Sequence, residues 1–152
     1  MLGQLAKTYF KLAQFSDKIL RKLENEKLSK PLKTALKGIQ KNEANLAQET
    51  IKYGLLSLNM EFSKASDIIP RMLDVVSKYK DQVAADFQAY SKDTPSWFFL
   101  RWINQIVAVV NRGESAVIED KVYQIAKKYP QALYYPFKVI ESNINVNILD
   151  AE

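Results

Sequence analysis

The chain has 152 residues, a formal net charge of +5, 47% hydrophobic and 26% charged residues, the profile of one folded domain with its own core and not of a disordered segment. It contains no Cys and no His, which excludes disulfides and thiolate chemistry and removes the commonest general base and metal ligand. Only four Gly are present, and neither G-x-G-x-x-G nor G-x-x-x-x-G-K-[ST] occurs, so no glycine-rich phosphate cradle is expected.

The basic excess belongs to the first third: residues 1–50 carry ten Lys/Arg against five Asp/Glu, and residues 51–152 carry twelve of each. The longest apolar run, Phe98 to Val110, is interrupted by Arg101, Asn104 and Gln105 and is shorter than the roughly 20 residues a membrane span needs. The N-terminus lacks the pattern of a secretory signal, and there is no N-x-[ST] sequon. The expectation is a soluble intracellular protein with no membrane attachment.

Residues 3–25 predict an amphipathic helix with Leu5, Tyr9, Leu12, Ile19 and Leu23 toward the core. Lys7, Lys11, Lys18 and Lys22 share a sector of the opposite face. Such a stripe suits a solvated surface, and it also suits attachment to nucleic acid or an anionic membrane. Ser29-Lys30-Pro31 reads as a break, with Pro31 fitted to a helix first turn. A second helix is predicted over residues 32–58, with Leu32, Leu36, Ile39, Leu46 and Tyr53 to one side. Gly38 and Gly54 weaken it by about 1 kcal/mol each relative to Ala, leaving two shorter helices as the alternative.

Leu58-Asn59-Met60 predicts a turn. Beyond it, either Asp67 caps a helix with Pro70 in its first turn, or a helix from Met60 kinks at Pro70. Ile68, Met72, Val75, Val76 and Tyr79 share a face in both cases. Val83, Phe87 and Tyr90 mark a fourth helix, and Asp93-Thr94-Pro95-Ser96 is the entry to a very apolar helix over 95–110. Gly113 suits a left-handed cap. The next helix, 114–129, carries Ile118, Val122, Ile125 and Tyr129 in a stripe. Pro130 opens a last one, with Pro136 bending or restarting it. Helical structure is therefore expected over 1–142, followed by an extended or disordered tail over 143–152, where Ile144, Val146 and Ile148 alternate.

The resulting fold class is all-α: antiparallel helix pairs stacked as an α-solenoid of HEAT or TPR type, with a four-helix bundle as the alternative. A weak internal echo supports stacking, since Ser77-Lys78-Tyr79 and Lys127-Lys128-Tyr129 each close one helix before another begins.

No constellation of residues names a reaction. The carboxylate pairs Glu24/Glu26 and Glu119/Asp120 read as solvated surface without the apolar pocket that acid–base work needs. Asp86-Phe87-Gln88 is one residue from a kinase D-F-G but lacks its Gly and its H-R-D loop. The aromatics Trp97, Phe98, Phe99, Trp102, Tyr129, Tyr134, Tyr135 and Phe137 read as core, because only Arg101 and Lys138 lie among them. No catalytic, cofactor-binding or metal-binding residue is assigned, and no cofactor is expected.

The segment Trp97-Phe98-Phe99-Leu100-Arg101-Trp102-Ile103-Asn104-Gln105-Ile106-Val107-Ala108, followed by Tyr129-Pro130-Gln131-Ala132-Leu133-Tyr134-Tyr135-Pro136-Phe137, resembles the FAT region of the phosphatidylinositol 3-kinase-related protein kinases. The first element is nearer to the family's DNA-dependent member. Leu58-Asn59, Ile69-Pro70-Arg71-Met72-Leu73 and Lys78-Tyr79 extend the likeness, which covers about residues 58–137, and Ala13-Gln14-Phe15-Ser16-Asp17-Lys18-Ile19-Leu20-Arg21 matches more loosely. The resemblance implies a non-catalytic array of helical repeats that clasps a serine/threonine kinase domain located elsewhere in the polypeptide. Its implied partners are that kinase domain and neighbouring repeats, and, through the parent, the Ku heterodimer on broken DNA in non-homologous end joining in the nucleus. DNA contact is implied only through that complex, and no small-molecule substrate is implied. Read from residues alone, two other roles stay open: a free-standing helical adaptor, and attachment through the Lys7/Lys11/Lys18/Lys22 face.

Overall fold

The computed structural model describes residues 1–25, 31, 33–35, 37, 42–112 and 115–149, with the side chains of 115, 140 and 142–149 outside the description. The expected break at Ser29-Lys30-Pro31, the Leu32, Leu36, Gly38 and Ile39 positions and the Gly113 cap therefore fall wholly or mainly outside the described residues. Among the described residues every regular element is a helix.

Helix α1 spans Leu2–Glu24 and α2 spans Glu43–Asn59. Helix α2 starts where its sequence allows a reciprocal cap. The Asn42 side chain accepts from the Asn45 N–H at 2.9 Å, and the Asn45 side chain accepts from the Asn42 N–H at 3.2 Å, satisfying two donors that a helix start leaves open. A helix therefore begins at residue 43, as the two-helix alternative for this interval allows.

The register of α1 against α2 is set by two hydrogen bonds. Ser57 Oγ donates to the Ala6 carbonyl at 2.8 Å and Ser16 Oγ donates to Glu49 Oε2 at 2.9 Å, so the helices run antiparallel. This corrects the buried face of α1. Ala6, Ala13, Leu20 and Leu23 are buried, whereas Leu5 and Leu12 are 41% and 40% exposed and Phe15 is 62% exposed. Small residues at the contact let the two backbones approach, and the larger leucines move to the rim.

Helix α2 ends in a Schellman turn. The Glu61 N–H donates to the Leu58 carbonyl at 2.8 Å and the Phe62 N–H to the Ser57 carbonyl at 3.2 Å, with Glu61 left-handed at φ 57°. That position favours glycine. Glu61→Gly is expected to raise the unfolding free energy by about 0.5 kcal/mol, the relieved backbone strain exceeding glycine's entropic cost; chemical denaturation measures it.

A 3-10 helix at Ser63–Ile68 leads into α3, Ile69–Lys78, with Pro70 in its first turn and no side-chain cap from Asp67. Helix α4 follows at Lys80–Ser91. Gln48 Nε2 donates to the Gln82 carbonyl and Asn59 Nδ2 to the Tyr90 carbonyl, so α4 runs parallel to α2. Contacts of Asp17 with Arg71 and of Glu24 with Tyr79 make α3 parallel to α1. Pair α3/α4 thus stacks on pair α1/α2 in the same sense, the construction of a helical-repeat solenoid. Gly54 lies at the crossing, where an added Cβ would sit 2.7 Å from Met72 Sδ.

The apolar helix expected over 95–110 is two pieces, α5 at Trp97–Leu100 and α6 at Ile103–Asn111. Trp102 leaves helical geometry at φ −110°, ψ 19°, and its indole Nε1 donates to the Ser66 carbonyl at 2.9 Å. The break turns the indole back onto the preceding 3-10 turn. A second 3-10 turn at Ser115–Val117 precedes α7, Glu119–Lys128, and α8, Pro130–Leu149.

Helix α8 continues past Pro136, which corrects the tail: residues 143–149 are helical, and 150–152 lie outside the described residues. Alternating Ile and Val favour a strand only where a neighbour can pair its backbone. A helix satisfies those groups within itself.

The echo noted in the sequence extends to a structural register. Ile68, Arg71, Met72, Val75, Tyr79 and Val83 are followed fifty positions later by Ile118, Lys121, Val122, Ile125, Tyr129 and Leu133. Both tyrosines stop a helix with their N–H bonded four residues back, Tyr79 to Val75 and Tyr129 to Ile125, and both start the next helix at once. One unit, a 3-10 turn followed by two helices, thus occurs twice.

Candidate functional site

Arg71, in the first turn of α3, meets three carboxylates. Its Nε donates to Asp17 Oδ1 at 2.6 Å, its Nη2 to Glu24 Oε2 at 2.9 Å, and its Nη1 to Asp74. Arg21 reaches the other Asp17 oxygen at 2.8 Å, and Tyr79 Oη donates to Glu24 Oε1 at 3.3 Å. The Arg71 side chain is 10% exposed. Burial works against its charge, but Asp17 and Glu24 outweigh that and hold its pKa above the ordinary value. The same cluster pushes the Tyr79 hydroxyl up to about 12, burial first and the Glu24 charge second. The planar guanidinium therefore pins α1 to α3 through several directional bonds, a geometry that a lysine ammonium does not reproduce.

Lys121 holds the matching place fifty residues on. It is 3% exposed, and its Nζ donates to the Ser91 carbonyl at 2.9 Å, to the Thr94 carbonyl and to Gln124 Oε1 at 3.0 Å. Its ammonium also lies 5.1 Å from the Phe99 ring centroid, within cation–π range. It thus joins α7 to the end of α4 and the turn behind it. Burial lowers its pKa to about 8, with Asp93 opposing and Lys128 adding to the shift. A lysine unfolded at 10.5 and folded at about 8 binds fewer protons in the native state between those values, so stability rises with pH across that window. Tyr79 acts in the opposite direction above pH 10. Lys121→Met should therefore abolish a rise of about 1–3 kcal/mol between pH 8 and pH 10, read from urea unfolding of both proteins. An unchanged pH slope contradicts this assignment.

Glu24, read from the sequence as solvated, is instead an acceptor within the Arg71 cluster; its neighbour Glu26 lies outside the described residues. Glu119 and Asp120 stay exposed in the first turn of α7. Sequence reasoning missed Arg71 and Lys121 as structural centres. The signal was present, since each falls on the otherwise apolar face of a short helix and each is followed three positions later by a side chain that accepts its hydrogen bond, Asp74 or Gln124.

The aromatics divide. Phe98 and Phe99 are buried as expected, and Trp102 packs against the core with the Arg101 guanidinium 5.1 Å from its ring centroid. Trp97, Tyr134, Tyr135 and Phe137 are not core: Tyr134 and Tyr135 are 57% and 72% exposed. Tyr134, Tyr135 and Phe137 lie on α8, the last helix of the stack among the described residues, and no later helix covers them there. Leu2, Leu5, Leu12 and Phe15 form the corresponding uncovered strip on α1. Lys7, Lys11, Lys18 and Lys22 are all exposed. No helix among the described residues is long and apolar enough to cross a membrane.

Comparison with known proteins adds to this geometry. No family model matches the chain. The DNA-dependent protein kinase catalytic subunit of Xenopus laevis is 30% identical to it over 141 residues, 93% of this chain and 3% of that protein. The same subunit from Dictyostelium discoideum is 29% identical over 133 residues, 86% and 3% of the two chains. The chain is homologous to a segment of a phosphatidylinositol 3-kinase-related kinase. A second kind of relative in that family, the SAGA complex/NuA4 acetyltransferase complex subunit Tra1 of Schizosaccharomyces pombe, is 29% identical over 84 residues, 54% of this chain and 2% of that one. The chain spans about 3% of the length of the kinase subunits it matches. In this phosphatidylinositol 3-kinase-related segment, the Trp97 to Ala108 and Tyr129 to Phe137 motifs acquire a physical content: the first supplies the indole anchor on Ser66, and the second opens helix α8 at the repeated tyrosine hinge.

Proposed function

We propose that the chain is a non-catalytic scaffold segment, equivalent to part of the FAT region of a DNA-dependent protein kinase catalytic subunit, which supports the kinase domain and passes conformational strain to it. The observation that carries the reading is the pair of uncovered apolar faces at opposite ends of the stack, Leu5, Leu12 and Phe15 on α1 and Tyr134, Tyr135 and Phe137 on α8. Repeats inside a solenoid contact only their neighbours and leave such faces when taken singly. The likeness to two differently named relatives, a kinase subunit and an acetyltransferase-complex subunit, also favours a framework role over a chemical one. On this reading the bond-making residues lie elsewhere in the parent, and its partners are the adjoining repeats and the kinase domain. The Ku heterodimer, DNA ends and the nucleus are reached only through the parent.

The test is phosphoryl transfer. In a kinase carrying this segment, Trp102→Ala should remove the anchor on Ser66, destabilise that layer by about 3 kcal/mol and blunt stimulation by DNA ends while the kinase still binds ATP. Normal stimulation in a folded variant contradicts the coupling, and phosphate transfer by the isolated chain contradicts the scaffold reading.

A further inference from the structure

A groove of about 510 Å³ runs between α1 and the 3-10 turn leading into α3, floored by Phe10 and Ile68 and edged by Lys18 and Lys22. A second of about 230 Å³ continues it toward the N-terminus, sharing Phe10 and Gln14 and adding Phe62, Lys7, Lys11 and Lys64. Together they form one channel along α1 with a basic rim and an apolar floor. From Lys7 to Lys22 the rim extends for roughly 22 Å at the helical rise. The five rim lysines are exposed and unpaired among the described residues, in contrast to Arg21 and Arg71, whose charges are engaged by Asp17.

We propose that this channel docks an acidic amphipathic helix of a partner protein, its carboxylates facing the lysine rim and its apolar stripe on Phe10, Phe62 and Ile68. The charge pattern selects this occupant. Free positive charge lies on the lysine rim, while within the lining Asp17 is already engaged by Arg21 and Arg71, and the Asp67 carboxylate is exposed on the side of the 3-10 turn beside Arg101, where a phosphate backbone laid across the groove would meet it. Stacking of nucleic-acid bases needs open ring faces. Phe10 and Phe62 pack against one another in a tilted contact, 5.5 Å apart between centroids with their planes at 56°, and do not present the parallel open platform that stacked bases need. A bilayer is flat and cannot reach a floor set between two helices. The lysines repeat at intervals of four and seven, Lys7, Lys11, Lys18 and Lys22, the period a facing helix presents. The docking surface lies beside the uncovered α1 face assigned to a neighbouring repeat and is independent of it.

The experiment titrates the full chain into three probes by fluorescence anisotropy. The first is a synthetic helical peptide of about 15 residues with Glu on one face and Leu and Phe on the other. The second is a permuted peptide of the same composition, and the third a short DNA duplex; vesicles of anionic phospholipid are scored by co-sedimentation. The patterned peptide should bind at least ~10-fold more tightly than the permuted one, DNA or vesicles. The double reversal Lys11→Glu/Lys18→Glu should weaken it by ~10-fold or more, as should Lys7→Glu/Lys22→Glu, with thermal unfolding unchanged. Reversal of Lys127 and Lys128 on α7 should leave binding intact. Equal affinity for the permuted peptide, tighter binding of DNA or vesicles, absence of binding, or insensitivity to both α1 reversals overturns the proposal.

Discussion

Replacing Arg71 with Ala should lower the unfolding free energy by about 3–5 kcal/mol, the range found when one partner of a buried ion pair is removed. The loss exceeds the value of any single bond, because Asp17 and Glu24, two turns apart on α1, are left as partly buried carboxylates without the α3 guanidinium that joins them. Arg21 still reaches Asp17 from the surface, which keeps the penalty below that of two orphaned charges. Arg71→Lys should recover only a minority of the loss, since an ammonium meets one carboxylate well and the guanidinium meets three. Arg71→Met offers a control of similar length: if the cation serves mainly to satisfy the two acids, Met is as damaging as Ala. Urea unfolding of the four proteins settles the order. A second readout follows from Tyr79, whose hydroxyl pKa is raised to about 12 by burial and by Glu24 and is held down in part by the Arg71 charge; removing that charge with Glu24 still in place should move it further up.

Phe99→Ala is the second substitution with a large expected effect, about 3–5 kcal/mol. Phe99 is 1% exposed and meets residues from four elements, with Leu73 of α3, Phe87 of α4, Ile106 of α6 and Ile118 and Lys121 at the start of α7 around one small enclosed space. Deleting the ring opens a cavity where two repeats join, and it removes the π-face beneath the Lys121 ammonium. The neighbouring Trp97 is 46% exposed, so Trp97→Ala should cost a fraction as much although the residue is larger. A Phe99 variant no less stable than a Trp97 variant contradicts the layer assignment.

The helical class and much of the helix order were legible because local patterns agreed with tertiary packing. Val83 and Phe87, or Ile118 and Ile125, are apolar at helical spacing and buried. Periodicity failed where a specific side chain outweighed the pattern. On α1 the stripe of leucines pointed to one face, but Ser16 and Ser57 fixed the partner helix against Ala6 and Ala13 instead. At Trp102 the pattern is continuous, and only the indole's need for a carbonyl at Ser66 breaks the helix. Arg71 and Lys121 were overlooked because a charged residue in a short helix ordinarily faces water, and their place on an apolar face carried weight only when the two were set side by side. Their equivalence appears once the fifty-residue offset is seen together with the Tyr79 and Tyr129 hinges. The exposed aromatics of α8 were misjudged as core because composition reports that a ring must be covered and does not report which molecule, or which part of a longer chain, covers it.

The central claim is that this segment is a framework whose two end faces are closed by neighbouring repeats. Hydroxyl-radical footprinting read by mass spectrometry tests it directly, comparing Leu12, Phe15, Tyr134 and Tyr135 in the isolated chain and in the intact kinase polypeptide that contains it. The account predicts strong labelling of all four in isolation and protection of all four in the intact protein, with buried Phe87 and Phe99 unlabelled in both. Equal labelling of the four residues in the two contexts would contradict it.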